Sequence, residues 1–310
     1  LPICMCAISG IDMALLDLKG KVLGVPCYEL LGGAYRKDIL LYANYWFTKG
    51  GHNEADYAEQ ARAVKAAGFT GLKFDPFAHT NYFYGEDLAS NLTLTPAQQD
   101  LAFNVSKAVR EAVGPEVDIM IETHAMLNYR IAVKMAERLA TLDIAWYEEP
   151  AGPESSQTLR AMRERIPSDV AICVGERHYT RFGIRSLLEK HVCDIIMPDI
   201  TRCGGPSEMK RMATMAEAYQ VLLAPHNPNG PLSTLASSHV CASVPNFFRQ
   251  EFMFNDVPWR DTVIDHPIAD MVYDGHLHLS DRPGLGVDLV EEEMEKHPGI
   301  TSNPPENFYI

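Results

Sequence analysis

Acidic and histidine side chains recur at a regular interval through the 310-residue chain. From residue 122 the successive steps are 26, 28, 23, 27 and 25 residues. The members of this series are Glu122, Glu148, Glu176, Asp199, His226 and Glu251. Because carboxylates bind divalent cations and imidazole transfers protons near neutral pH, the series predicts metal-assisted proton-transfer chemistry. Any one of these acids could instead cap a following helix, but that explains the ordered set poorly.

Short apolar runs carry this series, and helical patterns separate the runs. The eight runs span residues 39–46, 71–76, 117–124, 144–150, 170–177, 195–200, 221–226 and 247–252. Apolar runs that alternate with helices are typical of parallel strands buried on both faces. Eight such units predict an α/β fold of the TIM-like (β/α)8 barrel type. The alternative, an open doubly wound sheet, usually has fewer strands and a glycine-rich phosphate turn, and no GxGxxG occurs here.

The predicted barrel accounts for residues 39–253. We interpret residues 1–38 as a lead-in helix and linker, because apolar residues at 8–22 have helical spacing. The alternation of strand and helix is lost over 254–310, which we expect to return over the barrel as a C-terminal segment.

Two further groups of residues lie outside the series. Residues 77–95 are long for a connection between a strand and a helix, so this loop is a candidate lid or specificity element. Its Tyr82 and Tyr84 could contact a substrate, or the segment could be an ordinary surface loop. The histidines expected at the surface or in loops are His79, His178, His191 and His239.

Composition narrows the classes of function. The chain has 27 Lys and Arg against 41 Asp and Glu, and its net charge of −14 disfavours nucleic acid and anionic membranes as partners. No apolar run reaches the roughly 18 residues that span a bilayer. The N-terminus lacks the pattern of a signal peptide. Seven cysteines without a CxxC pair favour a reduced, cytoplasmic protein.

Three of the glutamates are expected at the carboxyl ends of neighbouring strands, where this barrel places its active site. Glu122, Glu148 and Glu176 would repel one another there unless a cation neutralised them. Oxygen ligands without cysteine favour Mg²⁺, with Mn²⁺ as the alternative, and disfavour Zn²⁺. Strand alternation lets only one of Glu148 and Glu149 face inward, and we choose Glu148.

Two histidines are placed to transfer protons. His226 is predicted beside Asp199 of the neighbouring strand, and such a carboxylate fixes the imidazole tautomer and raises its basicity. His124 follows Glu122 by two residues and therefore points to the same side of its strand. Which histidine removes a proton from the substrate is open. Glu251 could complete the hydrogen-bond network and, if protonated, donate to a developing oxyanion.

The ordered motifs resemble the enolase superfamily, in its mandelate racemase and muconate lactonizing enzyme branch. They are KxD at Lys73, ExH at Glu122, YEEP, VGER, MPDI, APHNPNGP and RQEF, and the resemblance covers about residues 7–288. Within this branch the motifs are most similar to those of acid-sugar dehydratases of the galactonate and gluconate type. The resemblance implies an Mg²⁺ that binds a substrate carboxylate and stabilises the enediolate after a base removes the α-proton. Elimination of water from an aldonic or uronic acid then gives a 2-keto-3-deoxy acid.

The resemblance also implies roles for individual residues. The implied metal ligands are Glu122, Glu148 and Glu176. The implied catalytic set is His226, Asp199, His124, Glu251 and Lys73, the lysine facing the substrate carboxylate. Two positions depart from the family. The first ligand is usually Asp, and the KxK base motif of the racemases is KxD here, which favours a histidine mechanism over racemisation.

Several expectations remain open at this point. The family carries an N-terminal α+β capping domain that is missing from this chain, so we expect either a truncated chain or a barrel without its lid. Epimerase, racemase or cycloisomerase activity on a sugar acid uses the same chemistry. A Schiff-base aldolase acting through Lys73 and an impaired barrel that serves as a binding or structural protein are the alternatives of other classes. The expected partners are a small sugar acid and further copies of the chain.

Overall fold

The structure is a computed structural model. It describes residues 2–49, 53–77, 94–153, 155–254 and 256–298. Most of the candidate lid, with His79, Tyr82 and Tyr84, lies outside these residues.

Eight parallel strands form the barrel. They are β1 (Asp38–Asn44), β2 (Gly71–Phe74), β3 (Asp118–Glu122), β4 (Trp146–Glu148), β5 (Ile172–Val174), β6 (Ile195–Ile196), β7 (Leu222–Leu223) and β8 (Gln250–Met253). Each strand from β1 to β6 pairs with the next, and β8 pairs with β1. The ring closes where the Phe248 N–H donates to the Leu223 carbonyl at 2.8 Å. The predicted (β/α)8 barrel is therefore confirmed, and every strand overlaps the apolar run predicted for it.

Helices connect the strands on the outside of the barrel. Two precede it, α1 (Pro2–Leu23) and α2 (Cys27–Leu30). Those between strands are α3 (Glu54–Ala66), α4 (Pro96–Val113), α5 (Tyr129–Leu139), α6 (Ser156–Arg163), α7 (Thr180–Glu189), α8 (Gly205–Glu217) and α9 (Pro231–Ala242), and α10 (Glu291–Lys296) follows the barrel. Polar residues start several of them: the Asn53 side chain accepts from the first turn of α3, and Thr95 and Gln98 form a capping box on α4. Within the described part of the chain, no helix has the length and apolarity to cross a bilayer.

Strand alternation decides which side chains enter the barrel. Met120 and Trp146 belong to the cluster inside the barrel, whereas Ile119 and Ile121 pack in the larger core between strands and helices. Side chains two positions apart share a face, so the residues two places after Met120 and Trp146 also face the interior, at the carboxyl ends of their strands.

The segments before and after the barrel contact each other along one side. The Leu285 N–H donates to Asp17 of α1, and Asp12 of α1 accepts from Ser207 at the start of α8. Strands β9 (Val272–Tyr273) and β10 (His276–His278) form a hairpin, and β10 pairs antiparallel with the first half of β1. The division into a lead-in segment, a barrel and a return segment stays a prediction.

Candidate active site

Three buried glutamates meet at the mouth of the barrel. Glu122 and Glu148 end β3 and β4 as register partners, and Glu176 follows β5. One carboxylate oxygen of each lies within 4.8 Å of those of the other two. The oxygens around an octahedral Mg²⁺ lie about 3–4 Å apart, so a small closure of these side chains would fit the ion. We call these three residues the glutamate trio.

Lys73 of β2 is the buried cation of this cluster. Its Nζ lies 2.5 Å from Glu148, 3.0 Å from Glu251 and 3.5 Å from Glu122, and only 2% of its side chain is exposed. Burial opposes the charge, but the surrounding carboxylates outweigh burial and raise the pKa of Lys73 well above its usual value. A Schiff-base lysine needs a lowered pKa, so this environment disfavours the aldolase alternative.

Two neighbouring members of the trio differ in what stabilises them. Burial and the adjacent Glu122 carboxylate raise the pKa of Glu148 well above its usual value. Glu122 keeps a lowered pKa despite burial, because it lies beside His124 and Lys73 and accepts backbone N–H groups. These are the N–H groups of Thr123 at 2.9 Å and His124 at 2.6 Å. The glutamate in place of the family's aspartate therefore folds back onto its own backbone.

His226 and Asp199 form a buried pair where β6 and β7 end. His226 Nδ1 lies 2.9 Å from Asp199 Oδ2, and His226 Nε2 lies 3.1 Å from Glu176 of the trio. Burial disfavours the charged imidazole, but Glu176 and Glu251 raise the pKa of His226 to about 9. Asp199 is also buried, yet His226 and Thr201 lower its pKa to about 2. The pairing expected from the sequence is present, and Nε2 faces the trio.

A second histidine–aspartate pair lies on the other side of the barrel mouth. His124 Nδ1 is 2.8 Å from Asp75 Oδ2, and the Phe77 N–H donates to the other oxygen of Asp75 at 2.7 Å. Burial opposes protonation of His124, but Glu122 and Asp75 raise its pKa to about 9. Sequence reasoning treated Asp75, the aspartate of the KxD motif, only as a departure from the base motif of the racemases and missed this pair. The signal was available, because KxD and ExH place both side chains inward on adjacent strands.

Glu149 and Arg177 form an ion pair that sequence reasoning also missed. Glu149 Oε2 lies 2.8 Å from Arg177 Nε, and Arg177 donates to the His124 carbonyl at 3.1 Å. Burial and the nearby Glu176 raise the pKa of Glu149 to about 8. Strand alternation breaks here because Glu149 has a left-handed φ of 44° directly after β4. The choice of Glu148 as the member of the trio agrees with the geometry, but its neighbour is buried as well.

Glu251 of β8 is held as a hydrogen-bond acceptor. It accepts from the Asn44 side chain at 2.6 Å and from the Asn227 N–H at 2.5 Å. Burial opposes ionisation, but Lys73 and His226 lower the pKa of Glu251 below its usual value. An ionised acceptor has no proton to give, so this environment disfavours the expected role as an oxyanion donor.

The expectation that the remaining histidines lie at the surface or in loops is only partly met. His191 is exposed, but His178 and His239 are buried. His239 lies within α9, stacks on the Tyr28 ring and accepts the Tyr28 N–H at 3.2 Å. Burial favours the neutral imidazole and lowers the pKa of His239 to about 4.

A (β/α)8 barrel with glutamates at three successive strand ends and histidines on both sides of them has the architecture of the enolase class of barrel enzymes. The family described as "Enolase C-terminal domain-like" matches residues 56–293. The family described as "Mandelate racemase / muconate lactonizing enzyme, N-terminal domain" matches residues 2–32. The chain therefore belongs to the enolase superfamily, in its mandelate racemase and muconate lactonizing enzyme branch, as the motifs predicted.

Curated relatives carry the names of acid-sugar dehydratases, which agrees with the enzyme class predicted from the sequence. The D-xylonate dehydratase of Haloferax volcanii is 33% identical, and the match covers 94% of this chain and 69% of that protein. The D-gluconate dehydratase of Thermoproteus tenax is 34% identical over 96% of this chain, which spans only 57% of that protein. A solved enolase superfamily member from Salmonella Typhimurium superposes with a TM-score of 0.87 at 32% identity, covering 95% of this chain and 76% of that one.

Proposed function

We propose that the chain is the catalytic barrel of an Mg²⁺-dependent acid-sugar dehydratase, a carbon–oxygen lyase. Its substrate is an aldonic or uronic acid, and its product is a 2-keto-3-deoxy acid. The observation that carries the proposal is the placement of two histidine–aspartate pairs around the buried glutamate trio. One pair is built on β2 and β3 and the other on β6 and β7, four strands away around an eight-stranded ring.

The glutamate trio is proposed to hold the cation, Mg²⁺ or alternatively Mn²⁺. The bound ion would supply a Lewis acid for the substrate carboxylate, which makes the neighbouring C–H bond more acidic. Lys73 holds Glu148 and Glu251 in place through its contacts of 2.5 and 3.0 Å. This arrangement supports the metal prediction because the trio is buried and its negative charge exceeds what one ammonium group compensates.

His226 is proposed to remove the α-proton, because its Nε2 is buried and faces the trio. The C–H bond breaks, and its electron pair forms the double bond between the α- and β-carbons. The β-hydroxyl leaves with a proton from His124 as water, and the resulting enol becomes the 2-keto acid. Among the groups that raise the pKa of His226, Glu176 is the foremost, so neutralisation of Glu176 as a metal ligand would bring this pKa down toward neutral pH, where a general base works best.

The test is a screen of an acid-sugar library with Mg²⁺, detecting 2-keto-3-deoxy products before and after treatment with EDTA. For a substrate found in this way, His226→Asn should lower kcat on the order of 10²-fold to 10⁴-fold, the usual contribution of a general base. The matched control is His191→Asn, which changes an exposed histidine in the loop after α7. Dehydration by His226→Asn at the wild-type rate, or activity that survives EDTA, would contradict the proposal.

Epimerisation of a sugar acid is the second candidate function. The opposed histidines favour it as well, because one could remove the α-proton and the other could return a proton to the opposite face. The same screen separates the two functions when the recovered acid is inspected by NMR for inversion at C2 without loss of water. If no acid is turned over and no Mg²⁺ binds, the alternative of a binding or structural barrel is favoured.

We also propose that the protein acts in the cytoplasm as a homo-oligomer. All seven cysteines are unpaired, which suits a reducing compartment. Several apolar side chains of α1 are exposed, which supports self-association.

A further inference from the structure

We infer that Asp75 is a positioning residue that makes His124 the proton donor to the leaving hydroxyl, so that the two histidine–aspartate pairs have separate tasks. The inference rests on the proposed function. It assigns a role to a residue that the sequence motifs offered only as a departure from the racemase pattern.

The first observation is that the two pairs share one geometry. In each, the Nδ1 atom contacts an aspartate oxygen, at 2.8 Å for His124 with Asp75 and at 2.9 Å for His226 with Asp199. A carboxylate at Nδ1 holds the proton there and leaves Nε2 as the atom that exchanges protons with a substrate. Asp75 is 1% exposed, so water does not compete effectively for its oxygens.

The second observation is that the contact with Asp75 is made by the His124 ring, whereas other contacts around this residue are made by its main chain. The backbone of His124 is left-handed, with a φ of 48°, and Arg177 secures its carbonyl. The following residue, Ala125, donates its N–H to the Glu149 carbonyl at 3.0 Å. These contacts hold the main chain, whereas the contact with Asp75 acts on the ring itself and determines its tautomer.

The third observation is the position of the pair around the barrel. The pairs lie four strands apart, so a substrate held by the trio lies between them. His124 has 31% of its side chain exposed, against 10% for His226. In the proposed reaction the deeper histidine, His226, would serve the carbon next to the carboxylate. The more open one, His124, would serve the leaving hydroxyl on the following carbon.

The experiment compares Asp75→Asn with Asp199→Asn in D₂O, following product formation and deuterium uptake at C2 of the recovered substrate. For Asp75→Asn we expect kcat for dehydration to fall on the order of 10²-fold to 10⁴-fold, as when an orienting carboxylate is lost from a catalytic histidine. KM should stay within a few fold, and deuterium uptake should continue. Asp199→Asn should lower both dehydration and deuterium uptake. The matched control is Asp38→Asn, which breaks the contact with His278 at 2.7 Å on β10, and it should change neither.

A second readout does not need turnover. The Nδ1–H signal of His124 in ¹⁵N NMR, assigned by its loss in His124→Gln, should be present in the wild type and altered in Asp75→Asn. Circular dichroism and Mg²⁺ titration of each variant exclude a general loss of folding. The inference is overturned if Asp75→Asn leaves dehydration unchanged, lowers dehydration and exchange equally, or leaves the Nδ1–H signal unaltered. If the wild type dehydrates no sugar acid, the proposed function fails instead, and the NMR result still decides whether Asp75 orients His124.

Discussion

At the scale of single residues, the mouth of the barrel contains more buried carboxylates than buried cationic side chains. Glu122, Glu148, Glu149 and Glu251 are all buried there, and Lys73 is the ammonium group that contacts three of them. Burying charges without partners costs several kcal/mol each, so both Lys73 and a bound cation are expected to stabilise this cluster.

Replacing Lys73 tests this balance. We expect Lys73→Met to lower the free energy of unfolding in EDTA by about 3–5 kcal/mol, because it leaves buried carboxylates unpaired. Mg²⁺ should stabilise this variant more than it stabilises the wild type, since the cation neutralises the same carboxylates. Urea unfolding with EDTA and with Mg²⁺ measures both effects.

The control for this prediction is Lys107→Met, which removes an exposed lysine of α4 that is 3.7 Å from Glu111. A surface pair of this kind contributes about 0–1 kcal/mol. If Mg²⁺ stabilised Lys73→Met and the wild type equally, the lysine and the cation would not share the same carboxylates.

At the scale of the elements, the site depends on how each strand ends. Alternation from Met120 to Glu122 and from Trp146 to Glu148 directs two members of the trio into the barrel. Directly after β4, the left-handed φ of Glu149 turns its side chain toward Arg177 instead. Regular strand ends therefore present Glu122 and Glu148, whereas Glu176 and the residues around the trio lie in the turns that follow the strands.

Helix α9 carries a buried histidine that should make the fold sensitive to acid. The folded-state pKa of His239 is about 4, below the ordinary value of 6.5, because burial disfavours the charged form. The unfolded state therefore binds more protons below about pH 6.5, and stability falls as the pH decreases from there toward 4. The difference of about 2.5 pH units corresponds to roughly 3 kcal/mol at the acid end of this range.

Urea unfolding at pH 7.0, 5.5 and 4.5 measures this effect. His239→Gln should reduce the loss of stability between pH 7.0 and 4.5, although it lowers the stability at pH 7.0. The control His191→Gln changes an exposed histidine and should leave the pH dependence as in the wild type. An unchanged slope in His239→Gln would show that other groups cause the acid sensitivity.

At the scale of the whole molecule, α1 presents an apolar surface that the rest of the described chain leaves exposed. The most exposed apolar side chains of this helix are Ile3, Ile8, Ile11, Leu15, Leu18, Val22 and Leu23. Its other side packs on α8 and on the segment that follows the barrel. Exposed apolar patches of this kind are typical of surfaces that another chain or domain covers.

Substitutions in this surface test the predicted self-association. Ile11→Ser with Leu15→Ser should weaken concentration-dependent association in sedimentation velocity and reduce the binding of an apolar dye. The free energy of unfolding should change little, because both side chains are more than half exposed. Leu16→Ser is the matched control, since Leu16 packs against the core and its loss should lower stability rather than association. Association that is unaffected by the double substitution would place the interface elsewhere.

The sequence by itself determined the barrel and the residues at its mouth. Each strand and helix has its own local periodicity, and the interval from Glu122 to Glu251 follows the length of one strand–helix unit. Residue type and strand alternation were enough to select the trio, and adjacent strand ends were enough to pair His226 with Asp199.

Only the tertiary structure decided what these side chains contact in detail. The ion pair of Glu149 with Arg177 and the lowered pKa of Glu251 depend on the stagger between strands and on left-handed turns at their ends. The motifs contained the signal for the pair of His124 with Asp75, but the 2.8 Å distance between them depends on the same stagger. The packing of the whole ring sets this stagger and the conformation of the turns. A shift of one residue between neighbouring strands would direct every side chain to the other face. Local sequence patterns carry no information on that stagger, so these contacts follow from the closed barrel alone.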